Sequence, residues 1–314
     1  MLSGINKRKG KMKKDGIYFG LSEEEYFNEP RIGSTLLRCL IDSPVRFWFD
    51  SFLNPIKKAP QEKKNLNCGK IFHKLLLEGE KALHADFAIA PATLHSASGM
   101  YKKWKDAQIR PIVKETDVRD ARRVLAYLTG KGQVLDNFFK GGYPEVSILW
   151  TDSNGLKRAA RIDYLKIGQF IDVKSFEDWK DDKEHYKRYF WKYKVFVQLI
   201  DYLNAIKAGR DLPVVKGTPK QKAFWAECTK INDWLPWVCF VDRENPRYSL
   251  KTFNPAKCPD VYRAGRAMIK QAYDNFEEYY KKFGLTNAWI DEPNPDDLEF
   301  VDADFANELM QYEI

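Results

Sequence analysis

The sequence predicts one α/β domain with a helical region at its N-terminal end. Two observations predict this class. Segments with helical periodicity lie on both sides of residues 145–176, which contain three consecutive strand-like segments of alternating apolar and polar residues. The 314 residues also include nine Trp, sixteen Tyr and twenty Phe, which can fill a sizeable core.

Start and end signals define the predicted helices. Ser22 and Glu25 form a capping-box pattern at the first of them. Pro44 ends one short helix at the Ser-Pro step and suits the first turn of the next. Gly79 and Gly284 are placed to close two further helices. Beyond the first, the predicted helices cover residues 33–44, 44–53, 66–79, 115–129, 183–207 and 261–283.

The strands are predicted from short runs rich in β-branched and aromatic residues. They cover residues 145–151, 156–165, 169–176, 237–242 and 248–253. Residues 208–235 are rich in Trp and begin with Pro and Gly, so we expect an irregular segment there.

The charge of the chain is unevenly distributed. The net charge is +8, residues 1–14 carry six Lys and Arg without an acid, and residues 285–314 carry nine Asp and Glu without a base. We therefore expect a flexible basic arm over 1–16, one domain over 17–284 and an acidic tail over 285–314. The strongly basic middle suggests a polyanionic partner, with nucleic acid first, although a solvated basic surface gives the same composition.

Several other classes of protein do not fit the sequence. It has no apolar run long enough for a transmembrane helix, and no apolar segment of a secretory signal follows the basic N-terminus. We therefore expect no membrane partner. The five cysteines are scattered without a C-x-x-C pair, which argues against a disulfide framework, a zinc ribbon or an iron–sulfur cluster and suits a reducing cytoplasm.

Two acids occupy the hairpin formed by residues 161–174. If Ile167-Gly168 is a two-residue loop, Asp163 falls opposite Asp172. The predicted pairs across this hairpin are Lys166 with Gln169, Asp163 with Asp172, and Arg161 with Lys174.

The preceding hairpin brings a third acid to the same row. A three-residue loop over 153–155, with Gly155 left-handed, pairs Thr151 with Lys157 and places Glu145 opposite Asp163. A two-residue Asn-Gly turn would shift Glu145 by one position, but it separates the apolar and polar faces less cleanly. With the three-residue loop, the apolar face is Val146, Ile148, Trp150, Ala160, Ile162, Tyr164, Ile171 and Val173. The opposite face is Glu145, Ser147, Arg161, Asp163, Asp172 and Lys174.

Such a row of carboxylates needs a counter-charge. Two carboxylates about 5 Å apart repel by roughly 3 kcal/mol at an effective dielectric constant near 20. Arg161 and Lys174 supply part of the positive charge, and Mg²⁺ or Mn²⁺, which prefer oxygen ligands, would supply the rest. The alternative is a surface ladder of salt bridges without a metal ion.

These residues, in this order, resemble a known nuclease pattern. Glu145, Arg161-Ile-Asp163 and Asp172-Val-Lys174 resemble the PD-(D/E)xK core, with aspartate in place of the more usual glutamate. Three further motifs are similar to the RecE/exonuclease VIII branch found in phages and prophages. They are YFGLSEEEYFNEPRIGSTLLRCLIDSPVRFWF (18–49), GKIFHKLLLE (69–78) and QLIDY (198–202).

The resemblance implies a restriction-endonuclease-like α/β fold, with a mixed β-sheet flanked by helices, and a Mg²⁺-dependent exonuclease, with Mn²⁺ able to substitute. Such an enzyme degrades one strand of linear double-stranded DNA from its 5′ end and leaves a 3′ single strand for an annealing protein. It further implies a homo-oligomeric ring in the cytoplasm of a bacterial host cell. Residues 208–235 are longer than the family needs before its next strand, and the acidic tail is not part of the family pattern.

The resemblance also implies roles for individual residues. Asp163 and Asp172 match the metal-binding acids, the carbonyl of Val173 a third ligand, and His73 the histidine that reaches the metal from a helix. Lys174 matches the catalytic lysine.

Further residues match positions around this centre. Glu145 matches a catalytic acid at the edge of the site, and Gln198 with Tyr202 matches a Q-x-x-x-Y pair that faces the DNA. Arg161 would hold the scissile phosphate, or else neutralise the two aspartates. By itself, an i, i+4 pair such as Gln198 and Tyr202 could equally face the core.

The sequence is also compatible with two other functions. One is an endonuclease or RecB-like nuclease of the same fold, and the other is a DNA-binding protein that keeps the fold without catalysis. The basic and aromatic segment 183–196 has two interpretations as well, either a surface for a nucleic-acid strand or an amphipathic helix with buried aromatic residues. The acidic tail either docks on a partner or is solvated.

Overall fold

The computed structural model of the protein describes residues 12–57, 64–94, 97–176 and 185–291. Most of the expected basic arm and of the expected acidic tail, together with His95, lies outside the described residues. In chain order the elements are β1 (Gly16–Tyr18), α1 (Glu23–Phe27), α2 (Ser34–Asp42), α3 (Pro44–Asp50), α4 (Lys64–Leu77), α5 (Glu80–Asp86), β2 (Ala88–Ala90), α6 (Gly99–Asp106), β3 (Ile112–Lys114), α7 (Glu115–Leu128), α8 (Val134–Phe138), β4 (Gly142–Thr151), β5 (Lys157–Lys166), β6 (Gln169–Phe176), α9 (His185–Lys192), α10 (Val195–Gly209), β7 (Val214–Lys216), α11 (Pro219–Thr229), β8 (Leu235–Asp242), β9 (Tyr248–Thr252) and α12 (Pro259–Phe283). Within these residues, no helix combines the length and the apolar composition needed to cross a bilayer.

The main sheet has seven strands in the order β7-β1-β4-β5-β6-β8-β9. It is mixed, because β1 pairs with β7 and β6 with β8 in parallel, whereas the other neighbours are antiparallel. A separate parallel pair joins β2 to β3. The predicted α/β class with a mixed sheet flanked by helices is therefore confirmed.

Helices cover both faces of the sheet. The larger core lies against α2, α3, α10, α11 and α12, and the second lies against α4, α5, α7 and α8. Neighbouring residues of β6 alternate between them, with Phe170 in the larger core and Ile171 in the second. The central strands are therefore apolar on both faces, and the polar side chains of β5 and β6 are at least partly buried.

Most predicted helices and strands are confirmed, including the Ser22–Glu25 capping box and the end of α12 at Gly284. One boundary is wrong by two residues, since α4 ends at Leu77. Gly79 still closes this helix as predicted, because it is left-handed, with φ of 81°, and its N–H donates to the carbonyl of Lys74 at 3.0 Å. The same glycine is also the N-cap of α5.

Two longer predictions are also wrong. The helix over 183–207 is two helices, because Lys194 adopts a left-handed φ of 48° between α9 and α10. Residues 183 and 184 lie outside the described part. The segment 208–235, predicted to be irregular, contains β7 and α11. Helix α11 begins at Pro219, and Thr218 and Gln221 form a capping box around its start. That start signal was present in the sequence, but the neighbouring Pro and Gly obscured it.

The folded part extends past both expected domain boundaries. Strand β1 begins at Gly16, and Arg31 forms an ion pair with Asp15 at 2.8 Å. At the other end, Trp289 is 1% exposed and packs against Phe47, with ring centroids 5.4 Å apart.

Candidate active site

Both hairpins have the predicted register. Lys166 pairs with Gln169 around Ile167-Gly168, and Thr151 pairs with Lys157. Gly155 has φ of 77°, as the three-residue loop requires. Strand β5 thus lies between β4 and β6, and the three predicted acids fall on adjacent strands.

The strands β5 and β6 separate at the acids. Their ladder ends at Tyr164–Ile171, one position before Asp163 and Asp172, while β6 stays paired with β8 along its whole length. The predicted pairings of Asp163 with Asp172 and of Arg161 with Lys174 are therefore wrong, because the two strands no longer pair there. In place of a ladder bond, the backbone N–H of Val173 donates to Oδ2 of Asp163 at 2.8 Å.

The expected single apolar face is also wrong. Its members divide between the two cores. The larger core contains Val146, Ile148, Trp150, Ala160 and Ile162, and the second core contains Tyr164, Ile171 and Val173. The alternation in β4 is interrupted at Glu145, whose φ of 53° is left-handed. Glu145 falls between the paired positions Pro144–Tyr164 and Val146–Ile162, so it keeps the predicted place beside Asp163 without continuing the ladder.

Asp172 is the most enclosed acid of the site, with no exposed surface. Its Oδ1 accepts hydrogen bonds from Lys174 Nζ at 2.8 Å and from Gln198 Nε2 at 3.1 Å. Its Oδ2 lies 2.7 Å from Lys174 Nζ but has no well-directed hydrogen bond. One carboxylate oxygen is thus available to a further ligand.

Burial and mutual charge shift the pKa values of these groups. Burial raises the pKa of Asp172, against the opposing charge of Lys174, and the charge of Asp163 raises it further. Burial likewise raises the pKa of Asp163, again against Lys174. For Lys174, burial opposes the charged form, but Asp172 and Asp163 outweigh it and raise its pKa. The three groups act on one another electrostatically and form one cluster.

His73 reaches this cluster from α4. Its Nδ1 lies 4.0 Å from Oδ2 of Asp163, and its ring is hydrogen-bonded to the backbone of Val173. Burial, with help from the charge of Lys174, lowers the pKa of His73 to about 4. The imidazole is therefore neutral near pH 7, which is the form that binds metal ions.

Glu145 and Arg161 form the outer edge of the site. Arg161 Nε lies 2.6 Å from Glu145 Oε2, and its guanidinium lies 5.2 Å from the ring centre of Tyr26 and 5.3 Å from that of Phe27. Burial raises the pKa of Glu145 to about 8, although Arg161 opposes the shift. The two aromatic residues of α1 were not predicted, since the sequence shows no spacing that links them to Arg161.

Gln198 and Tyr202 lie behind the acids on α10. Gln198 Nε2 donates to the hydroxyl of Tyr202 at 2.7 Å, and the residues are 9% and 4% exposed. The pair therefore faces the core, which is one of the two predicted possibilities, and Gln198 also contacts Asp172. Contact of either residue with DNA stays a prediction.

The residues at the separation of β5 and β6 offer oxygen and nitrogen donors to a metal ion. Among the described residues, no group of three or more His, Cys, Asp and Glu side chains is arranged to hold a metal ion. The set expected from the sequence is different, with two carboxylates, one backbone carbonyl and one neutral imidazole. Asp163, Asp172, Val173 and His73 are gathered at the strand separation, and Oδ2 of Asp172 lacks a well-directed hydrogen bond. The two carboxylates and the backbone carbonyl, as oxygen donors, fit Mg²⁺ or Mn²⁺.

Comparisons of the sequence with protein-family models and with curated proteins gave no match.

Proposed function

We propose that the protein is a Mg²⁺-dependent exodeoxyribonuclease with a PD-(D/E)xK site, which degrades one strand of linear double-stranded DNA from the 5′ end. The observation that carries this proposal is the meeting of Asp163, Asp172, Lys174 and His73 where β5 separates from β6. One fully buried acid, one partly buried acid, a lysine and a neutral histidine suit phosphodiester hydrolysis better than a structural role, because a purely structural site would not need to bring so many ionisable groups together.

The ligands proposed for the dication are Asp163, Asp172, the Val173 carbonyl and His73. When bound, the ion would act as a Lewis acid toward the phosphate and would lower the pKa of a water molecule. Lys174 then serves as the positive group beside the attacked phosphate, held in place by the side-chain oxygen of Gln198 at 3.3 Å. Arg161, fixed between Glu145 and the rings of α1, is suited to a neighbouring phosphate.

The wider proposal follows from the resemblance. The 3′ single strand left by 5′-to-3′ degradation would pass to a single-strand annealing protein, and a closed homo-oligomeric ring would keep the enzyme on its DNA. The basic composition of residues 15–284 supports DNA as the partner. The cytoplasm of a bacterial host cell is the proposed location.

The first test removes the proposed chemistry while it preserves the shape of the side chain. Asp163→Asn should abolish Mg²⁺-dependent nucleotide release from linear duplex DNA, and Lys174→Ala should lower the rate by about 10²–10⁴-fold, as expected for loss of a group that assists proton transfer or charge stabilisation. DNA binding in EDTA should change little. Release of acid-soluble nucleotides measures the first effect and a filter-binding assay the second.

The surface pair Asp136 and Lys140, 2.8 Å apart on and just after α8, provides the matched control. Asp136→Asn and Lys140→Ala should keep wild-type activity. Wild-type activity in Asp163→Asn would refute the assignment of the site.

A further inference from the structure

Helix α9 and the two residues that follow it have an unusual composition. Residues 185–194 contain four Lys and Arg and five aromatic residues, but no acid. The proposed chemistry uses none of them. The structure separates their side chains into an inner and an outer group.

The inner group belongs to the protein core. Tyr189 packs against Phe176 with ring centroids 4.6 Å apart, and Tyr186 and Phe190 contact the larger core in the same way. These three aromatic residues are explained by packing. They fit the interpretation of an amphipathic helix with buried rings.

The outer group is not explained by packing. We use the name "outer α9 surface" for Lys187, Arg188, Trp191, Lys192 and Tyr193, all of which are exposed. Trp191 exposes 51% of its surface and Tyr193 46%. Trp191 contacts Phe196 in an edge arrangement, at 4.9 Å between ring centroids, and about half of its surface stays accessible. Large exposed aromatic side chains among bases are typical of sites that bind nucleic acid strands.

This surface is close to the candidate active site. Phe176, which packs on Tyr189, is two residues beyond Lys174 and on the same side of β6. Lys174 and Tyr189 also act on each other electrostatically. The ring of Tyr193, on the outer α9 surface, lies 4.3 Å from that of Tyr189, so a strand bound there would be separated from the lysine of the site by the side chain of Tyr189.

The surface is also held in position. Arg38 of α2 donates from Nη1 to the backbone carbonyl of Tyr193 at 2.7 Å, and Lys194 forms an ion pair with Asp42 at 2.7 Å. These contacts fix the left-handed turn at Lys194 between α9 and α10. A preset surface binds with a smaller loss of conformational entropy.

We propose that the outer α9 surface binds single-stranded DNA, with one base stacked on Trp191 and the adjacent phosphate close to Lys192. The exposed ammonium group of Lys192 favours a polyanion, and an exposed indole favours an unpaired base, because the bases of a duplex are already stacked inside the helix. The inference rests on the proposed function only in that the bound strand would be the one that passes the active site.

The test measures binding alone, in EDTA, so that hydrolysis does not enter. A fluorescein-labelled oligothymidylate of about ten nucleotides is titrated with wild type, Trp191→Ala and Trp191→Phe, and anisotropy gives the dissociation constant. We expect Trp191→Ala to bind about fivefold to about a hundredfold more weakly, which corresponds to the loss of one stacked base. Trp191→Phe should recover part of the affinity. Tyr127→Ala, which removes a 66% exposed aromatic residue on α7, should bind like wild type.

The electrostatic part has its own readout. Lys192→Ala should lower the slope of log affinity against log salt concentration by about 0.7, the value for one phosphate contact on a single strand. Unchanged affinity and an unchanged salt slope in the two variants would overturn the proposal. So would a Trp191→Ala variant that keeps its affinity but changes its oligomeric mass in light scattering, since the surface would then bind protein.

The outcomes for this inference and for the proposed function can be distinguished. If wild type binds the oligonucleotide through Trp191 but releases no nucleotides with Mg²⁺, the nuclease proposal fails and the binding surface stands. If wild type degrades DNA and Trp191→Ala binds the oligonucleotide equally well, only the binding surface fails.

Discussion

At Asp172 a carboxylate without any exposed surface is held by Lys174 and Gln198. Removal of one partner from a buried ion pair commonly costs about 3–5 kcal/mol, because the other charge is left without compensation. The unfolding of a Lys174 variant must therefore be measured together with its activity. Asp163→Asn is the milder change, since Asp163 is only partly buried and asparagine has nearly the same shape.

His73 gives a prediction about pH. Its pKa is about 4 in the folded protein and near 6.5 in an unfolded chain. The unfolded state therefore binds the proton first as pH falls, so the free energy of unfolding decreases from pH 6.5 toward pH 4 and is fully retained above 6.5. His73→Gln should remove this part of the slope. Urea unfolding in EDTA, at several pH values between 4 and 7, measures it.

The control for this prediction is His84→Gln on α5, where the histidine side chain is 58% exposed. That variant should keep the wild-type dependence of unfolding free energy on pH. If the free energy of unfolding has the same dependence on pH in wild type and in His73→Gln between pH 6.5 and 4, burial does not lower the pKa of His73.

At the scale of elements, the site depends on the separation of two strands. β5 leaves β6 at Asp163, and α10 fills the space behind the acids with Gln198. The rotation of α10 is fixed by a buried pair one residue before Tyr202, in which Arg158 Nη2 lies 2.7 Å from Asp201 Oδ1. The same pair helps to determine which residues of α10 face the carboxylates.

The close pairing of β4 and β5 can be tested at Gly142, the first residue of β4. A Cβ atom at this position would lie 2.2 Å from the backbone oxygen of Leu165, which cannot move without the strand. We expect Gly142→Ala to lower the free energy of unfolding by about 1–3 kcal/mol, the usual cost of overpacking. The midpoint of urea unfolding measures the change.

Gly99 is the matched control for this substitution. It lies in the first turn of α6, and a Cβ atom there would have no other atom within 4 Å. Gly99→Ala should be neutral or slightly stabilising, because alanine is favoured in helices. Equal unfolding midpoints for Gly142→Ala and Gly99→Ala would contradict the packing described for β4 and β5.

At the scale of the whole molecule, the seven-stranded sheet is covered on both faces and the site opens where two of its central strands separate. The proposed activity also requires a free DNA end, which the structure of one chain does not show. An enzyme that encircles or caps DNA needs a free end, whereas an endonuclease does not. This difference separates the proposed exonuclease from a nuclease of the same fold that cuts internally.

We expect linear duplex DNA to be degraded with Mg²⁺ while covalently closed circular duplex is spared. Linear DNA labelled at the 5′ or the 3′ end should release the 5′ label first. Gel electrophoresis of both substrates, with Asp163→Asn as the inactive control, measures the result. Linearisation of the closed circle would favour the internal nuclease instead.

The sequence by itself determined much of the local structure. The capping box at Ser22, the loop at Ile167-Gly168 and the glycine at 155 are short-range signals, because backbone conformation and hydrogen bonding within a few residues decide them. The registers of both hairpins follow from those loops. The sequence alone therefore predicts that adjacent strands carry Glu145, Asp163 and Asp172.

Only the tertiary structure decided how these residues are used. The strand separation at Asp163, the left-handed turns at Glu145 and Lys194, and the burial of Tyr202 depend on the helices that pack against the sheet. Contacts between residues far apart in the chain add up to more energy than the local preference of one residue. For that reason the sequence predicts which acids are neighbours, and the fold decides which of them are enclosed.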